Sequence, residues 1–116
     1  DGAGPLDDHK WTHEEGFVRN EELQWYQSEN AFQEGGFLVL EARTDDRPNP
    51  TYIPDSSDWR TRRETITHTS ASVITRDRFD WLYGHLIVRA KVTNLTGTWP
   101  AIWTFFWNAH TQWSSR

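Results

Sequence analysis

The stretch Asn30-Ala31-Phe32-Gln33-Glu34-Gly35-Gly36-Phe37-Leu38-Val39-Leu40-Glu41-Ala42-Arg43 reads as a β-hairpin. Asn30 to Gln33 make a short strand, Glu34-Gly35-Gly36 the turn, and Phe37 to Arg43 the return strand. Glycine supplies the positive φ that tight hairpin turns require. On the return strand Leu38, Leu40 and Ala42 share one face, as alternate residues of a strand do.

Working outward, the same period recurs. Upstream, residues 1–16 are polar and rich in turn formers, and Leu6 to Trp11 reads as a turn delivering Trp11 to the core. Residues 45–64 hold three of the five prolines, Pro48, Pro50 and Pro54, and predict a long surface loop. Loops of such length in compact domains are often functional. Thr69 to Thr75 alternates as a half-buried strand does, and Arg76-Asp77-Arg78 turns the chain. Trp81 to Val92 predicts one long strand, with Leu86, Val88, Ala90 and Val92 facing one way and His85, Ile87, Arg89 and Lys91 the other. Asn94 to Gly97 reads as a turn. Trp99-Pro100-Ala101-Ile102-Trp103-Thr104-Phe105 begins a further strand, with Pro100 at an edge or entry position. No stretch holds a helical period over two full turns. The fold class expected is all-β, a twisted antiparallel sandwich.

Composition bounds the function. With 116 residues the chain is long enough for one domain and one core. It has no cysteine, which excludes disulfides, thiolate metal sites and a cysteine nucleophile. No apolar run approaches the ~18 residues of a membrane span. The start has no basic stretch followed by an apolar one, so no signal peptide is expected. Methionine is absent even at position 1, which leads us to expect a processed or partial chain. Hydrophobic residues are only 35%, yet 15% are aromatic, including 8 Trp. A disordered chain that polar would be poor in aromatics. A folded protein with a wet, aromatic-lined surface fits both figures, and such surfaces stack sugar rings. The alternative is that the tryptophans fill the core.

The net charge is −5, with 10 Arg against 2 Lys. Nucleic-acid binders carry a basic footprint, so neither nucleic acid nor a membrane is an expected partner. The one basic cluster, Arg60-Thr61-Arg62-Arg63, lies among Asp55, Asp58 and Glu64 and reads as a solvated or salt-bridged loop. An uncharged substrate suits this balance. No metal or other cofactor is expected. His9 and His13 are spaced as on a zinc-binding helix, but the segment is not helical in pattern and Glu14 follows the pair instead of lying inside it. Glu21-Glu22, Asp45-Asp46 and Asp77 with Asp80 read as solvated pairs on turns. Neither a Gly-x-Ser-x-Gly elbow nor a phosphate loop is present.

Several strings, taken in order, carry a family resemblance. They are Lys10-Trp11-Thr12, Asn20-Glu21-Glu22-Leu23-Gln24-Trp25-Tyr26, Gly36 to Arg43, Thr69-Ser70-Ala71-Ser72, Trp81-Leu82-Tyr83-Gly84, Val88-Arg89-Ala90-Lys91 and Gly97-Thr98-Trp99-Pro100-Ala101-Ile102-Trp103. The ordered set resembles the N-terminal half of a glycoside hydrolase family 16 domain of the bacterial laminarinase (endo-β-1,3-glucanase) type. The resemblance covers residues 5–104 of one partial domain at 1–116, and the tail 105–116 diverges.

That resemblance implies a concanavalin-like jelly-roll β-sandwich, incomplete in this chain, with a glucan cleft on its concave sheet. It implies a secreted, extracellular enzyme that hydrolyses β-1,3(-1,4)-glucans with retention, using two glutamates. Retention requires carboxyls ~5–5.5 Å apart. The family carries them in a Glu-x-Asp-x-(x)-Glu motif shortly after Trp-Pro-Ala-x-Trp, and this sequence has no Asp or Glu after Asp80. No catalytic residue is therefore assigned, and the chain is expected to be inactive alone. Asn20, Arg89, Trp99 and Trp103 match cleft positions and are the expected substrate-binding residues, with β-glucan as the partner. His85 and Ile87 depart from the family's usual Arg and Glu. The alternative function is a non-catalytic β-glucan-binding sandwich module. A weaker one is an interaction domain whose aromatics meet a partner protein.

Overall fold

A computed structural model describes residues 3–105. The chain divides into two units, Asp1–Leu82 and Tyr83–Arg116.

The regular structure of the first unit is mostly short strands. Its strands are β1 (Thr12–His13), β2 (Gln24–Tyr26), β3 (Ala31–Glu34), β4 (Phe37–Leu40), β5 (Arg43–Pro48), β6 (Thr65–Ser70) and β7 (Val73–Ile74), with a 3-10 turn (Ser28–Asn30) between β2 and β3 and one α-helical turn, α1 (Trp59–Arg62), between β5 and β6. The expected hairpin is present: β3 and β4 pair antiparallel with Glu34 opposite Phe37. Gly35 and Gly36 have φ of 56° and 83°, the pair of left-handed residues that a two-residue type I′ turn demands. A second sheet runs in the order β2-β6-β5, with β2 parallel and β5 antiparallel to β6. β1 and β7 form a third, antiparallel pair.

Several expectations for this unit are corrected. The return strand of the hairpin ends at Leu40, not Arg43, because the chain there changes sheets. Glu41 N–H donates to Asn30 C=O at 2.8 Å and Asn30 Nδ2 donates to Glu41 C=O at 2.8 Å, which ends the hairpin and redirects the chain into β5. The loop expected over residues 45–64 is shorter, because Asp45 to Pro48 belong to β5 and Trp59 to Arg62 form α1. Pro48 is tolerated there since β5 is an edge strand of its sheet, and charged residues along it discourage pairing with other chains. The strand expected over Thr69 to Thr75 is split into β6 and β7 in different sheets. At the break, Ser70 C=O accepts from Gln27 and Ser72 C=O from Glu14. The turn at Arg76-Asp77-Arg78 is present, closed by Arg78 N–H on Thr75 C=O at 3.0 Å.

The core of this unit is small: Phe17, Tyr26, Ala31 and Ile66 are its buried hydrophobic residues. Complete burial of a side chain such as Ile66 stabilises by roughly 1.5–3 kcal/mol. The core is extended by aromatic rings. Trp25 meets Phe17 edge-on at 5.3 Å between centroids, and Trp59 lies 6.1 Å from Phe17. Trp11, expected in the core, is only half-buried. Its backbone N–H closes a turn on Asp7 C=O, as expected. Asn30 and Thr69, both buried, hydrogen-bond each other and tie the hairpin to the three-stranded sheet.

In the second unit the described residues form no strand and no helix. The long strand expected over Trp81 to Val92 and the strand expected from Trp99 are therefore corrected. A strand is held by a neighbour that takes up its N–H and C=O groups, and no described residue of this unit enters a ladder. The turn expected at Asn94 to Gly97 does form. Thr98 N–H and Oγ1 both donate to Leu95 C=O, at 3.1 and 2.6 Å, around Gly97 with φ of 87°. The all-β class holds, since the regular structure is nearly all strand, arranged in several sheets.

Candidate functional site

Asn20 is exposed and sits with Glu21 at the centre of a tight turn. Both have left-handed backbones, φ 56° and 51°, and Glu22 N–H closes the turn on Arg19 C=O at 3.1 Å. A left-handed Glu is strained, by roughly 1–2 kcal/mol. Side chains from residues far along the chain hold this turn. Arg63 donates through Nη1 to Glu22 C=O and through Nη2 to Glu21 C=O, and Arg60 Nη2 donates to Val18 C=O at 3.1 Å. The Arg63 guanidinium lies 4.8 Å from the Phe17 ring centre and 5.1 Å from that of Trp59. Arg60 and Arg63 of the basic cluster are thus engaged internally, with Asp58 also paired to Arg60 at 3.5 Å. The reading of 60–63 as a solvated or salt-bridged loop is corrected in part: Arg60 is ion-paired, but Arg60 to Arg62 lie in α1 and Arg63 donates to backbone carbonyls.

Beside the turn lies a polar group centred on Tyr26. Tyr26 OH donates to Glu22 Oε2 at 2.8 Å and accepts from Gln24 Nε2 at 3.1 Å. Burial, reinforced by the hydrogen bond to Glu22, pushes the Tyr26 phenol pKa up. Arg19 lies over the Tyr26 ring at 5.6 Å and pairs with Glu14, which also accepts from Ser72 Oγ at 2.6 Å. Burial disfavours the Arg19 charge, but the Glu14 hydrogen bond and charge outweigh it and raise its pKa. These two carboxylates are occupied in holding neighbours.

The other three expected site residues lie in the second unit. Arg89 is exposed, Trp99 is 91% exposed and Trp103 is 56% exposed. Trp103 meets Phe105 edge-on at 4.1 Å between centroids. The strand expected from Trp99, which would have put Trp99 and Trp103 on one face, does not form among the described residues. Chemically, an indole suits stacking on the C–H face of a sugar, and a guanidinium or a carboxamide can donate to hydroxyls. His85 and Ile87, which depart from the resembled pattern, are exposed.

For metal, the described residues bring together Asp7, Asp8 and His9, all exposed. His13 lies apart from that group in β1, with Nδ1 buried and without a hydrogen-bond partner. The residue that sequence reasoning missed is Arg63. Its signal was present, as an Arg run beside a tryptophan on a loop, but its partners are backbone carbonyls, which no sequence pattern marks.

No family model matches the chain. It is 35% identical over 108 residues to a beta-glucanase of Rhodothermus marinus, covering 89% of this chain and 32% of that protein. It is 27% identical to glucan endo-1,3-beta-glucosidase A1 of Niallia circulans, covering 84% of this chain and 15% of that protein. It is 30% identical to the clotting factor G alpha subunit of Tachypleus tridentatus over 72% of this chain and 10% of that one. Two solved structures are similar. One comes from work on endo-acting O-glycanases with which prominent members of the human gut microbiota initiate mucin breakdown. It has a TM-score of 0.61 and 32% identity, over 70% of this chain and 30% of that one. The other is the catalytic domain of an endo-1,3-beta-glucanase (laminarinase) from Thermotoga petrophila RKU-1, with a TM-score of 0.51 and 33% identity, over 72% of this chain and 31% of that one. The chain spans about a third or less of each of these proteins.

Proposed function

We propose, from the premise that this chain is a partial region of the family 16-like glucanases, that it binds β-1,3(-1,4)-glucan without cleaving it alone. The observation that carries this reading is the 35% identity to a beta-glucanase over 108 residues. Asn20, Arg89, Trp99 and Trp103 are the residues we assign to sugar contact. In support, Trp99 and Trp103 expose indole faces to solvent at 91% and 56%.

Retaining hydrolysis needs an acid/base and a nucleophile with carboxyls ~5–5.5 Å apart. The sequence after Trp-Pro-Ala-Ile-Trp contains neither Asp nor Glu. A longer protein carrying this region together with such a carboxylate pair would act as an endo-β-glucanase, and we place its work outside the cell. The purified 116-residue chain is incubated with laminarin, reducing ends are assayed against a heat-killed control, and binding of a β-1,3-gluco-oligosaccharide is titrated in parallel. Binding without turnover is the expected result. Turnover above the control refutes the non-catalytic part, and absence of binding refutes the rest.

A further inference from the structure

We infer that Arg63 is a positioning residue for the Asn20 turn, an inference that rests on the sugar-binding role proposed for Asn20. Two successive carbonyls of the turn, those of Glu21 and Glu22, both accept from the one guanidinium of Arg63. Its faces are fixed as well, at 4.8 Å from the Phe17 ring centre and 5.1 Å from that of Trp59. Phe17 is itself buried at 5% exposure, so the guanidinium is registered against the core. Arg60 adds a second strap on the upstream side, from Nη2 to Val18 C=O at 3.1 Å. The strained left-handed pair at Asn20 and Glu21 is therefore gripped before and after by two guanidiniums from the α1 segment.

This geometry is specific to arginine. A planar fork donates to two neighbouring carbonyls while its faces lie against aromatic rings, and a lysine ammonium cannot do both. Hydrogen bonds from a charged donor are also the strong ones. Without them the turn relaxes, and the backbone that presents the Asn20 carboxamide is no longer held in its left-handed form. Arg63 acts on sugar only through Asn20.

The test uses the full chain with Arg63→Met, Arg63→Lys, Asn20→Ala and the Arg63→Met/Asn20→Ala pair. Amide exchange and chemical-shift titration with a β-1,3-gluco-hexasaccharide are read from the same NMR spectra. In Arg63→Met the Glu22 amide, closed on Arg19 C=O at 3.1 Å, is expected to exchange faster. The amides of β3 should be unchanged. Loss of these bonds is expected to raise Kd about tenfold, and Arg63→Lys should recover little of it. In the Asn20→Ala background Arg63→Met should cost nothing further. Unchanged Glu22 exchange overturns the inference, as does an equal loss of affinity with and without Asn20, which marks a merely structural role. If Arg63→Met does not fold, the same comparisons are made on Arg63→Lys, and parent-like exchange and affinity there overturn the inference. A parent that does not bind, or an Asn20→Ala variant that binds like the parent, overturns instead the role of Asn20 and with it the sugar-facing consequence. The Glu22 exchange then still reports whether Arg63 holds the turn, so the two failures are told apart.

Discussion

Asn30 donates from Nδ2 to Thr69 Oγ1 at 3.2 Å, a buried contact across 39 residues of sequence. The same Nδ2 reaches Glu41 C=O at 2.8 Å, and Asn30 Oδ1 accepts from Gln27 Nε2 at 2.7 Å. One carboxamide therefore joins the turn before β3, the residue just after β4 and the C-terminal end of β6. Thr69 is 2% exposed and Asn30 fully buried, so no water replaces a lost partner. Asn30→Ala is expected to lower stability by about 2–3 kcal/mol, since it leaves buried acceptors unpaired. Asn30→Asp should cost more, because it buries a charge facing the Glu41 carbonyl. Urea melts followed by circular dichroism check both, and a loss under ~0.5 kcal/mol in the Ala variant, the range of an ordinary surface change, contradicts this role.

How much of this was legible beforehand follows from range. The Gly35-Gly36 turn was readable because the constraint is local: two left-handed residues need glycine. The turn at Arg76 to Arg78 was readable for the same reason. The change of sheet at Glu41 was not, because the deciding group, Asn30, is a polar residue whose partners lie 11 and 39 residues away. Alternation likewise misled over Trp81 to Val92. A period of two states that a segment could serve as a strand, not that a neighbour is there to pair with it. Asn20 was marked only by its place in a resembled string. Nothing in that string indicates that Arg63 holds its turn, since main-chain acceptors have no sequence signature.

Glu21 has φ of 51°, where a side chain is strained and glycine is not. Glu21→Gly is therefore expected to raise stability or leave it unchanged, by up to about 1 kcal/mol, with the gain limited by the added freedom of the unfolded chain. Its carbonyl still accepts from Arg63. A loss above ~1 kcal/mol in a thermal or urea melt would show that the Glu21 side chain contributes what the backbone does not reveal.

Tyr26 gives a pH dependence of definite sign. Burial and the hydrogen bond donated to Glu22 raise its pKa above the ordinary 10.0. The folded chain therefore holds the phenol proton more tightly than the unfolded one. That contribution is complete below pH 10.0 and is lost as pH rises through the raised folded value. Melts between pH 8 and 11 on the parent and Tyr26→Phe should show a steeper alkaline decline in the parent. Parallel curves would mean that the phenol is equally acidic in both states.

The β4 strand exposes Phe37 at 73%, Leu38 at 46% and Leu40 at 48%. Adjacent exposed apolar side chains on a paired strand favour self-association. The chain is expected to elute from size exclusion at a volume that shifts with concentration. Leu38→Lys together with Leu40→Lys should reduce the shift, because the change removes apolar area and adds repulsion. A sharp monomer at every concentration, in parent and variant alike, would refute it.

Trp99 and Trp103 carry the most direct consequence of the proposed function. Both indoles are in the second unit and neither is buried, at 91% and 56% exposure. Phe105 lies edge-on to Trp103, 4.1 Å between centroids and at 73°, which restrains that ring more than any ring contact described for Trp99. An unrestrained ring loses more freedom on binding, so each contact is weak, and affinity is expected in the millimolar range, on the order of −4 kcal/mol. Trp99→Ala and Trp103→Ala should each reduce it. Trp103→Ala should do so more, because its ring is already partly ordered. Trp25→Ala, by contrast, should act through folding, since Trp25 packs on buried Phe17 at 5.3 Å. Tryptophan fluorescence titrated with a β-1,3-gluco-oligosaccharide, beside a melt of each variant, separates the two effects. If Trp99→Ala and Trp103→Ala both respond to sugar as the parent does, these indoles do not meet the glucan and the binding assignment fails.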